Sequence, residues 1–445
     1  MLLRSVSGMR GIVGKDLTPE IALRHAAAFG TLLKGGRVVV SSDTRPTGPM
    51  ILRAVIAGLQ SVGTDVIDIG VAPTPTVPLA VTHFKAKAGI AITASHNPVE
   101  WNALKFIGSA KSVLQPEFLD KLYKFADSGT LNFQPWDRLG SVVQTDEMIN
   151  VHVRRILDLA LVDARAVRRR RPKVVIDAGG GAAFRYGPAI LEALGCRVTK
   201  VHCEHLPKFP RGTEPIPKNL KELGRVVRRV RADIGFATDP DSDRLAIVDE
   251  TGRPIGEERT LVLATYWALS RNPGPVVTNL ATSQAVMDVA SGFGVSGYTS
   301  KVGELNVGEM MRKRRAVIGG EGNGGVILPE LHPGRDALLG MALILSLLAH
   351  SREPVSAIND RLPMYHFAKK TLPKPADWKR RLERMKRRYI KEHYDDRDGL
   401  KVGFPDGWIL ARGSNTEPIM RITAEGKTPA RARQLLIELE DALGF

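Results

Sequence analysis

The stretch RVVVSSDTRPTG, residues 37–48, decides the fold, because a β-branched run ends there in a polar loop that leads into a helical pattern. The same design returns in KVVIDAGGGAA (173–183) and in PVVTNLATSQAV (275–286). Strands that alternate with helices at this spacing indicate α/β units built on mostly parallel sheets. The wide separation of the three segments predicts three similar α/β domains.

Changes in composition divide the chain further. A helical pattern begins after a loop near 146, a turn with Gly and Pro follows a strand near 249–257, and a Lys/Pro-rich stretch at 363–375 precedes a basic helix. The length of 445 residues is about three times the roughly 150 residues typical of one domain. We predict four domains: three similar α/β domains with mixed, mostly parallel sheets at 1–146, 147–253 and 254–364, and a smaller C-terminal α+β domain at 365–445.

Composition and charge narrow the class of protein. Hydrophobic residues make up 43% and charged residues 25% of the chain, which is typical of a folded globular protein. Much of the net charge of +17 lies in short basic runs such as 168–171 and 312–315, which are dispersed along the chain and interleaved with apolar residues at helical spacing. This pattern favours solvated helix faces over a nucleic-acid-binding surface. Aromatic residues are only 6%, and no nucleic-acid-reading motif is present.

Cysteine usage and apolar runs bear on location. Cys196 and Cys203 show neither CxxC nor zinc-ligand spacing, so no disulfide framework is predicted and a reducing compartment is expected. The first residues, MLLRSVSGMRG, lack the apolar segment of a signal peptide. The apolar run at 337–349 is too short to cross a bilayer and predicts a core helix. We expect a cytoplasmic protein without a membrane partner.

The segment ITASHNPVEWNALKF (92–106) carries the first candidate site. An apolar strand delivers Ser95 into a loop, where a serine can act as a covalent phosphoryl carrier. His96 and Lys105 are placed to supply protons and to neutralise charge. An ordinary Ser/Asn/Pro turn is the alternative, whereas a Ser-His-Asp hydrolase is disfavoured because no GxSxG motif is present.

The segment ATDPDSDRLAIVDE (237–250) predicts a metal site. Asp239, Asp241 and Asp243 alternate along the loop and can converge on one hard cation such as Mg²⁺. An EF-hand is excluded, because Arg244 stands where the loop needs glycine and LAIV continues as a strand. A solvated acidic turn remains the alternative, although three neighbouring carboxylates beside an apolar strand repel one another unless a cation is present.

Two later loops contain ligand-binding side chains. In VIGGEGNGGVILPELHPGRDA (317–337), five glycines surround Glu321 and Asn323, which can bond sugar hydroxyls. In LARGSNTEPIMRI (410–422), one cation and three polar side chains form the inventory of a phosphate-binding loop. These four residues are Arg412, Ser414, Asn415 and Thr416.

Two further cations remain open at this level. Arg10 lies between glycines in SGMRG, and Arg45 follows a strand in SSDTRPTG. A structural role and a functional role are equally compatible with each.

The four motifs TASHNP, DPDSDR, GGEGNGG and RGSNTEP together resemble the α-D-phosphohexomutase family, which comprises phosphoglucomutases, phosphomannomutases and phosphoglucosamine mutases. They occur in the order of that family and span essentially the whole chain. The resemblance implies four domains around a central cleft. It also implies interconversion of hexose 6-phosphate and hexose 1-phosphate through a phosphoserine enzyme and a hexose 1,6-bisphosphate, which is both intermediate and activator.

The resemblance further implies residue roles. Ser95 would be the phosphoserine and would complete the shell of one Mg²⁺ per chain. The implied catalytic residues are Ser95, Arg10, His96 and Lys105, the metal ligands are Ser95, Asp239, Asp241 and Asp243, and the substrate-binding residues are Arg244, Lys301, Glu321, Asn323, Arg412, Ser414, Asn415 and Thr416.

The chain departs from the family at two motifs. Many bacterial members read GEMSGH or GEQSGH where this chain reads GEGNGG, so the family histidine is absent at Gly325. The N-terminal motif reads SVSGMRG where FGTxGIRG is commoner. The GEGNGG form resembles both archaeal-type phosphoglucosamine mutases and bifunctional mannose/glucose mutases, so these departures weaken the choice of sugar. Glucosamine 6-phosphate is the expected substrate, with mannose and glucose phosphates as the alternatives.

The expected partner is a small sugar phosphate and not a nucleic acid, and the chain is expected to be a monomer or a homodimer. The remote alternatives are a metal-binding module without enzymatic activity and a basic nucleic-acid-binding protein.

Overall fold

A computed structural model describes residues 2–6, 8–110, 114–128, 130–206, 208–414 and 419–445. Four β-sheets follow one another along these residues, and helices pack against each of them. The predicted architecture of three α/β units and a smaller α+β unit is confirmed.

The first sheet has seven strands. They are β1 (Leu3–Ser5), β2 (Gly8–Ile12), β3 (Arg37–Ser42), β4 (Asp65–Val71), β5 (Ala88–Ile92), β6 (Trp101–Ile107) and β7 (Val142–Gln144). The accompanying helices are α1 (Pro19–Leu32), α2 (Gly48–Ser61), α3 (Thr76–His83) and α4 (Pro116–Ser128). Across the sheet the order is β1-β2-β6-β5-β3-β4-β7. Because β3 and β5 pair in parallel, their carboxyl ends reach the same edge and their following loops lie side by side.

The second and third sheets each have four strands. The second contains β8 (Lys173–Asp177), β9 (Arg197–Val201), β10 (Ile234–Thr238) and β11 (Leu245–Val248), with α5 (Met148–Leu157), α6 (Ala164–Arg170), α7 (Ala183–Ala193) and α8 (Lys221–Val230). The third contains β12 (Val276–Asn279), β13 (Gly297–Ser300), β14 (Ile318–Glu321) and β15 (Gly325–Ile327), with α9 (Glu258–Arg271), α10 (Gln284–Gly292), α11 (Glu304–Arg314), α12 (Ala337–His350) and α13 (Val355–Asp360). Both are mixed, because β11 and β15 are antiparallel to their neighbours while the other pairs are parallel.

The fourth sheet is antiparallel throughout. Its strands are β16 (His366–Pro373), β17 (His393–Asp395), β18 (Leu400–Phe404), β19 (Gly407–Gly413) and β20 (Ile419–Gly426), and its helices are α14 (Trp378–Arg388) and α15 (Pro429–Leu443). It has a hydrophobic core of its own, which includes Trp378, Met385 and Leu435.

The first three units share one continuous core. That core runs from Val39 and Ile67 of the first sheet through the second sheet to the third. At its centre lies α12, whose residues are apolar on all sides and buried along nearly the whole helix, as the apolar run at 337–349 predicted. A helix that is apolar all round belongs in an interior. Among the described residues, no helix combines the length and the apolar character needed to span a membrane.

Candidate active site

Ser95 lies in the loop that follows the fully buried strand β5. Its backbone is left-handed, with φ of +48°, a region that costs a non-glycine residue about 1–2 kcal/mol and persists only where the surroundings impose it. The Ser95 N–H donates to Oγ1 of Thr93 at 3.0 Å, and the Ser95 hydroxyl donates to Oδ2 of Asp239 at 3.0 Å. The loop after β5 therefore places the serine directly on the carboxylate loop of the second sheet.

Arg45 holds this loop from beneath. Its side chain is completely buried and is paired with Asp43, with Nε 3.1 Å from Oδ2. The remaining guanidinium nitrogens donate to four backbone carbonyl oxygens of the serine loop at 2.6–3.0 Å, those of Ser95, Asn97, Pro98 and Trp101. The role of Arg45, open from the sequence, is thus to fix the backbone around Ser95.

The three aspartates converge as the sequence predicted. Asp239, Asp241 and Asp243 follow β10, are at most 1% exposed, and offer carboxylate oxygens within 4.8 Å of one another. Oδ1 of Asp239 accepts the backbone N–H groups of Asp243 and Arg244 at 3.1 Å, which closes the loop into a tight turn. Burial, together with the charges of Asp243 and Asp241, raises the pKa of Asp239 well above its usual range.

The donor set of this triad fits a metal ion. Oδ1 of Asp241 and Oδ1 of Asp243 are both buried and have no hydrogen-bond partner. Burying a carboxylate oxygen without a hydrogen-bond donor costs free energy. A hard cation can take the place of the donor, because such cations prefer oxygen ligands. Together with the Ser95 oxygen beside Asp239, the triad can hold a metal ion.

Cationic and neutral side chains surround the serine. Lys105 donates from Nζ to Oδ2 of Asp241 at 2.6 Å. Burial works to lower the pKa of Lys105, but the charges of Asp241 and Asp243 outweigh it and raise the pKa, so this ammonium stays charged. Nη2 of Arg244 lies 3.0 Å from Nδ1 of His96. Burial and the charge of Arg244 lower the pKa of His96 to about 2, so its imidazole is neutral.

The predicted sugar loop begins where β14 ends. Oε1 of Glu321 accepts from Nδ2 of Asn279 at 2.6 Å and from the N–H of Gly303 at 3.0 Å. Oδ1 of Asn323 is buried and has no hydrogen-bond partner. Lys301 is exposed and follows β13, immediately before Val302 and Gly303.

The predicted phosphate loop of the fourth unit is described only in part. Nε of Arg412 donates to Oδ2 of Asp398 at 2.8 Å, and the same oxygen accepts the N–H of Val302 at 3.0 Å. Ser414 is buried, and its N–H donates to the carbonyl of Ile419 at 2.8 Å. Asn415 and Thr416 lie outside the described residues.

A cavity of about 450 Å³ joins these elements. Its wall combines residues of the first three units with Lys369 of β16. A volume of this size suits a small-molecule ligand. The predicted site residues that line it are Ser95, Arg10, His96, Lys105, Arg244, Glu321 and Asn323. The described site residues outside its wall are Asp239, Asp241, Asp243, Lys301, Arg412 and Ser414.

Arg335 is a lining residue to which the sequence assigned no role. It donates to Oε2 of Glu321 and to Oδ2 of Asp243 at 2.7 Å each, and to Oε2 of Glu304 at 3.0 Å. It stands in the quoted GRDA segment, but no spacing rule links it to a carboxylate 92 positions earlier.

The same cavity is lined by a buried carboxyl that the sequence also missed. Burial raises the pKa of Glu258 to about 8, although Lys369, with Nζ 3.6 Å from its Oε1, works in the opposite direction.

A second buried cluster has the composition of a metal site but not its chemistry. His152, His332 and Asp336 bring ligand atoms within 4.8 Å. Both imidazole Nε2 atoms lie on Oδ2 of Asp336, at 2.8 and 3.1 Å. The opposite Nδ1 atoms are bonded to Oγ1 of Thr76 and to the N–H of Gly334. Since no imidazole nitrogen is left over for an ion, the cluster is a hydrogen-bonded joint between α3, α5 and α12.

Three α/β units and a smaller α+β unit, with a cavity whose wall carries a serine bonded to a buried carboxylate triad, are the architecture of a phosphohexomutase, an isomerase that moves phosphate between positions of a sugar. Sequence models of the phosphoglucomutase/phosphomannomutase family match the chain in order. Domains I, II and III, each described as alpha/beta/alpha, match residues 1–132, 150–252 and 256–365, and the C-terminal domain matches residues 371–442. The chain therefore belongs to the phosphoglucomutase/phosphomannomutase family, and the prediction of a phosphohexomutase is confirmed.

Named relatives and a solved structure agree with this assignment. A probable phosphoglucosamine mutase of Methanopyrus kandleri is 39% identical over 440 residues, covering 98% of this chain and 96% of its own length. A phosphoglucomutase/phosphomannomutase of Thermococcus kodakarensis is 39% identical over 438 residues, covering 96% and 95%. The crystal structure of a phosphoglucomutase/phosphomannomutase family protein from Burkholderia thailandensis superposes with a TM-score of 0.86 at 28% identity, covering 100% of this chain and 98% of that one.

Proposed function

We propose that this chain interconverts hexose 6-phosphate and hexose 1-phosphate through a phosphorylated Ser95 and a hexose 1,6-bisphosphate. The observation that carries the proposal is the position of Ser95 Oγ, 3.0 Å from Asp239, beside two carboxylates that each keep a buried oxygen without a donor. Phosphoryl transfer depends chiefly on positioning and on neutralising charge. This loop pair positions the serine, and the neutralising charge comes from a bound cation and the surrounding basic side chains.

The metal part of the proposal is one Mg²⁺ per chain, held by Asp239, Asp241, Asp243 and an oxygen of the Ser95 side chain or its phosphate. When bound, such an ion supplies positive charge that stabilises the transferring phosphoryl group. Mg²⁺ is preferred because it usually takes few carboxylates and completes its shell with phosphate and water.

The remaining steps belong to side chains of the chain itself. A sugar hydroxyl attacks the phosphorus, the bond from phosphorus to Ser95 Oγ breaks, and the hydroxyl proton passes to a base. His96, which lines the cavity and has its Nδ1 3.5 Å from Ser95 Oγ, is the proposed acceptor. The ammonium of Lys105 is the proposed donor to the departing serine oxygen, and the reverse transfer returns each proton.

Arg244 and Arg10 are proposed to neutralise the transferring group. Arg244 lies against His96, and Nη1 of Arg10 donates to Oδ1 of Asn97 at 3.3 Å, so both guanidinium groups border the serine loop. Cations fixed beforehand around a developing charge need no reorganisation during the reaction.

The bisphosphate must turn over so that its second phosphate meets the serine. We assign the phosphate that is not reacting to Arg412, Ser414, Asn415 and Thr416, with Lys301 beside them. Asp398 supports this assignment, because it bonds both Arg412 and the backbone of Val302 and so joins the fourth unit to the Lys301 segment. Movement of the fourth unit, which has its own core, would then open the cleft and close it against water.

Glucosamine phosphate is the proposed sugar, with mannose and glucose phosphates as the alternatives. Glu321 and Asn323 are the side chains proposed to bond its hydroxyls. Relatives at the same 39% identity carry names from both groups, so the family alone leaves the choice open. A coupled assay that compares the three 6-phosphates by kcat/KM decides it, and a preference for mannose 6-phosphate or glucose 6-phosphate would contradict the proposed sugar.

Ser95→Ala tests the phosphoserine. Removing the nucleophile is expected to lower kcat at least about 10³-fold, even with glucose 1,6-bisphosphate added. Ser41→Ala is the matched control, because Ser41 is buried in β3, its hydroxyl has no hydrogen-bond partner, and it does not line the cavity. Full activity of Ser95→Ala in the presence of the bisphosphate would exclude a covalent role for Ser95.

The proposal includes the four domains at 1–146, 147–253, 254–364 and 365–445, a cytoplasmic location, and a monomer or homodimer that binds no nucleic acid. The two free cysteines support a reducing compartment. Burial raises the pKa of Cys196 to about 12 and that of Cys203 to about 11, so neither is a reactive thiolate.

A further inference from the structure

Gly325 and Arg335 are in unusually close contact. A Cβ on Gly325 would lie 2.1 Å from Cδ and 2.7 Å from Cγ of Arg335. The φ of Gly325 is not in the positive, left-handed range, so other residues could adopt the same backbone conformation. The need for glycine here therefore comes from the arginine side chain that passes over it.

The path over Gly325 brings Arg335 to carboxylates from two different units. One nitrogen reaches Asp243 of the metal loop, a second reaches Glu321 of the sugar loop, and a third reaches Glu304 at the start of α11. A guanidinium has a rigid, planar set of donors, so the three carboxylates are fixed relative to one another as well as to the arginine.

These bonds determine which oxygens remain available. Arg335 occupies Oδ2 of Asp243, which leaves Oδ1 as the buried oxygen without a hydrogen-bond partner. It also occupies Oε2 of Glu321, whose Oε1 is held by Asn279 and Gly303. One side chain thus bonds both the metal-loop carboxylate and the sugar-loop carboxylate.

The backbone at Arg335 is itself anchored. The next residue, Asp336, is the N-cap of α12, and its Oδ1 accepts the N–H groups of Leu338 and Leu339 at 2.8 and 3.1 Å. Oδ2 of Asp336 accepts from His152 and His332. Because its backbone is held in place, the Arg335 side chain can hold the carboxylates that it bonds in fixed positions.

We propose that Arg335 is a positioning residue that orients Asp243 toward the metal and Glu321 toward the sugar at the same time, and that Gly325 is required because it leaves room for this side chain. The inference rests on the proposed function of the triad and the sugar loop. It predicts that metal affinity and sugar-phosphate affinity change together when Arg335 is displaced.

Two substitutions displace it in independent ways. Arg335→Gln removes the charge, and Gly325→Ala leaves every functional group in place while its Cβ pushes Arg335 aside. Both are expected to weaken Mg²⁺ binding roughly 10–100-fold, the usual cost of losing a residue that orients a metal ligand. Both are also expected to raise the Kd for glucosamine 6-phosphate. Arg335→Lys, which keeps one charge but cannot bridge three carboxylates, should fall between these variants and the wild type.

The measurement is isothermal titration calorimetry on the full chain, with Mg²⁺ alone and then with glucosamine 6-phosphate, beside kcat and KM. Gly292→Ala is the matched control, since the added Cβ meets nothing within 4 Å beyond its chain neighbours and the backbone of its own helix. If Gly325→Ala fails to fold, Arg335→Gln carries the test.

Lower thermal stability with unchanged Kd values in Arg335→Gln would overturn the proposal, because the residue would then be structural only. So would a loss of Mg²⁺ affinity without any loss of sugar-phosphate affinity. Failure of the phosphoserine mechanism would appear separately, as activity retained by Ser95→Ala, and would leave the binding results standing.

Discussion

Two buried clusters of this protein each bring three possible metal ligands together, but they differ in chemistry. Asp239, Asp241 and Asp243 form one, and His152, His332 and Asp336 form the other, each with ligand atoms within 4.8 Å. In the first, two carboxylate oxygens have no hydrogen-bond donor. In the second, the imidazole nitrogens and both oxygens of Asp336 are bonded within the protein. Clustering of possible ligand residues therefore does not by itself indicate a metal site. Clustered ligand atoms that lack hydrogen-bond partners do.

The pKa values of Asp239 and Asp336 diverge for the same reason, whereas burial works to raise the pKa of Asp241 but the charge of Lys105 outweighs it and lowers that pKa. Burial and neighbouring carboxylates raise the pKa of Asp239. Burial also works to raise the pKa of Asp336, but its bonds to His152 and His332 outweigh it and lower the pKa. The first cluster keeps two carboxylate oxygens without a hydrogen bond even beside Lys105 and Arg335, whereas both oxygens of Asp336 are bonded.

Asp241→Asn should have the largest effect on this comparison. Replacing one carboxylate oxygen by an NH₂ group removes charge from the triad and directs a donor at the metal or at Lys105. We expect kcat to fall at least about 10²-fold, since a metal ion contributes several kcal/mol to such a transition state. We also expect the rise in melting temperature on adding Mg²⁺ to disappear, because that rise reports binding to the folded state. Enzyme assays and calorimetric scans with and without Mg²⁺ measure the two.

His152→Leu is the matched control from the other cluster. His152 does not line the cavity, so Mg²⁺ should raise the melting temperature of this variant as it does that of the wild type. An equal loss of Mg²⁺ response in both variants would show that the two clusters are not chemically distinct.

His152→Leu should itself lower stability by a smaller but clear amount. Its loss removes the imidazole partner of the Thr76 hydroxyl and one of the two imidazole donors to Oδ2 of Asp336, at a cost of about 2–4 kcal/mol. Differential scanning calorimetry without metal should show a lower melting temperature, and an unchanged value would mean that this joint contributes nothing to stability.

The smallest expected effect is a pH dependence specific to Asp336. Because its folded pKa lies below that of an unfolded aspartate, about 3.9, its stabilising contribution is fully present above that pH and is lost as the pH falls below it. The stability difference between wild type and Asp336→Asn should therefore be constant from about pH 5 upward. It should shrink by at most about 1.4 kcal/mol per pH unit below pH 4.

Urea unfolding of wild type and Asp336→Asn between pH 3 and 7 measures this difference. A gap that widens toward low pH would mean that the pKa of Asp336 is raised, as that of Asp239 is, and the contrast between the clusters would fail.

Local sequence patterns were enough to predict the features that depend on residues close together in the chain. The alternation of β-branched runs with helical patterns predicted three α/β units, and the strand before Ser95 and the aspartates after β10 predicted two loops at strand ends. These predictions hold because strand and turn formation depend on side chains a few positions apart.

Contacts between residues far apart in the chain could not be predicted from these local patterns. Arg45 fixes the Ser95 loop from 50 positions away, and Arg335 joins Asp243 across 92. From the sequence alone, each arginine could equally be a solvent-exposed side chain. Nothing in the neighbouring residues distinguishes an exposed arginine from one that bridges distant segments.

By itself the sequence determined the fold class, the family, the serine loop and the trio of aspartates. Only the tertiary structure decided that the aspartates keep unsatisfied oxygens, that the His152 cluster does not, and that Gly325 makes room for Arg335. The physical reason is that identity and spacing set what a side chain can donate or accept. Which donors and acceptors are buried together, and which of them remain unpaired, depends on how distant segments pack.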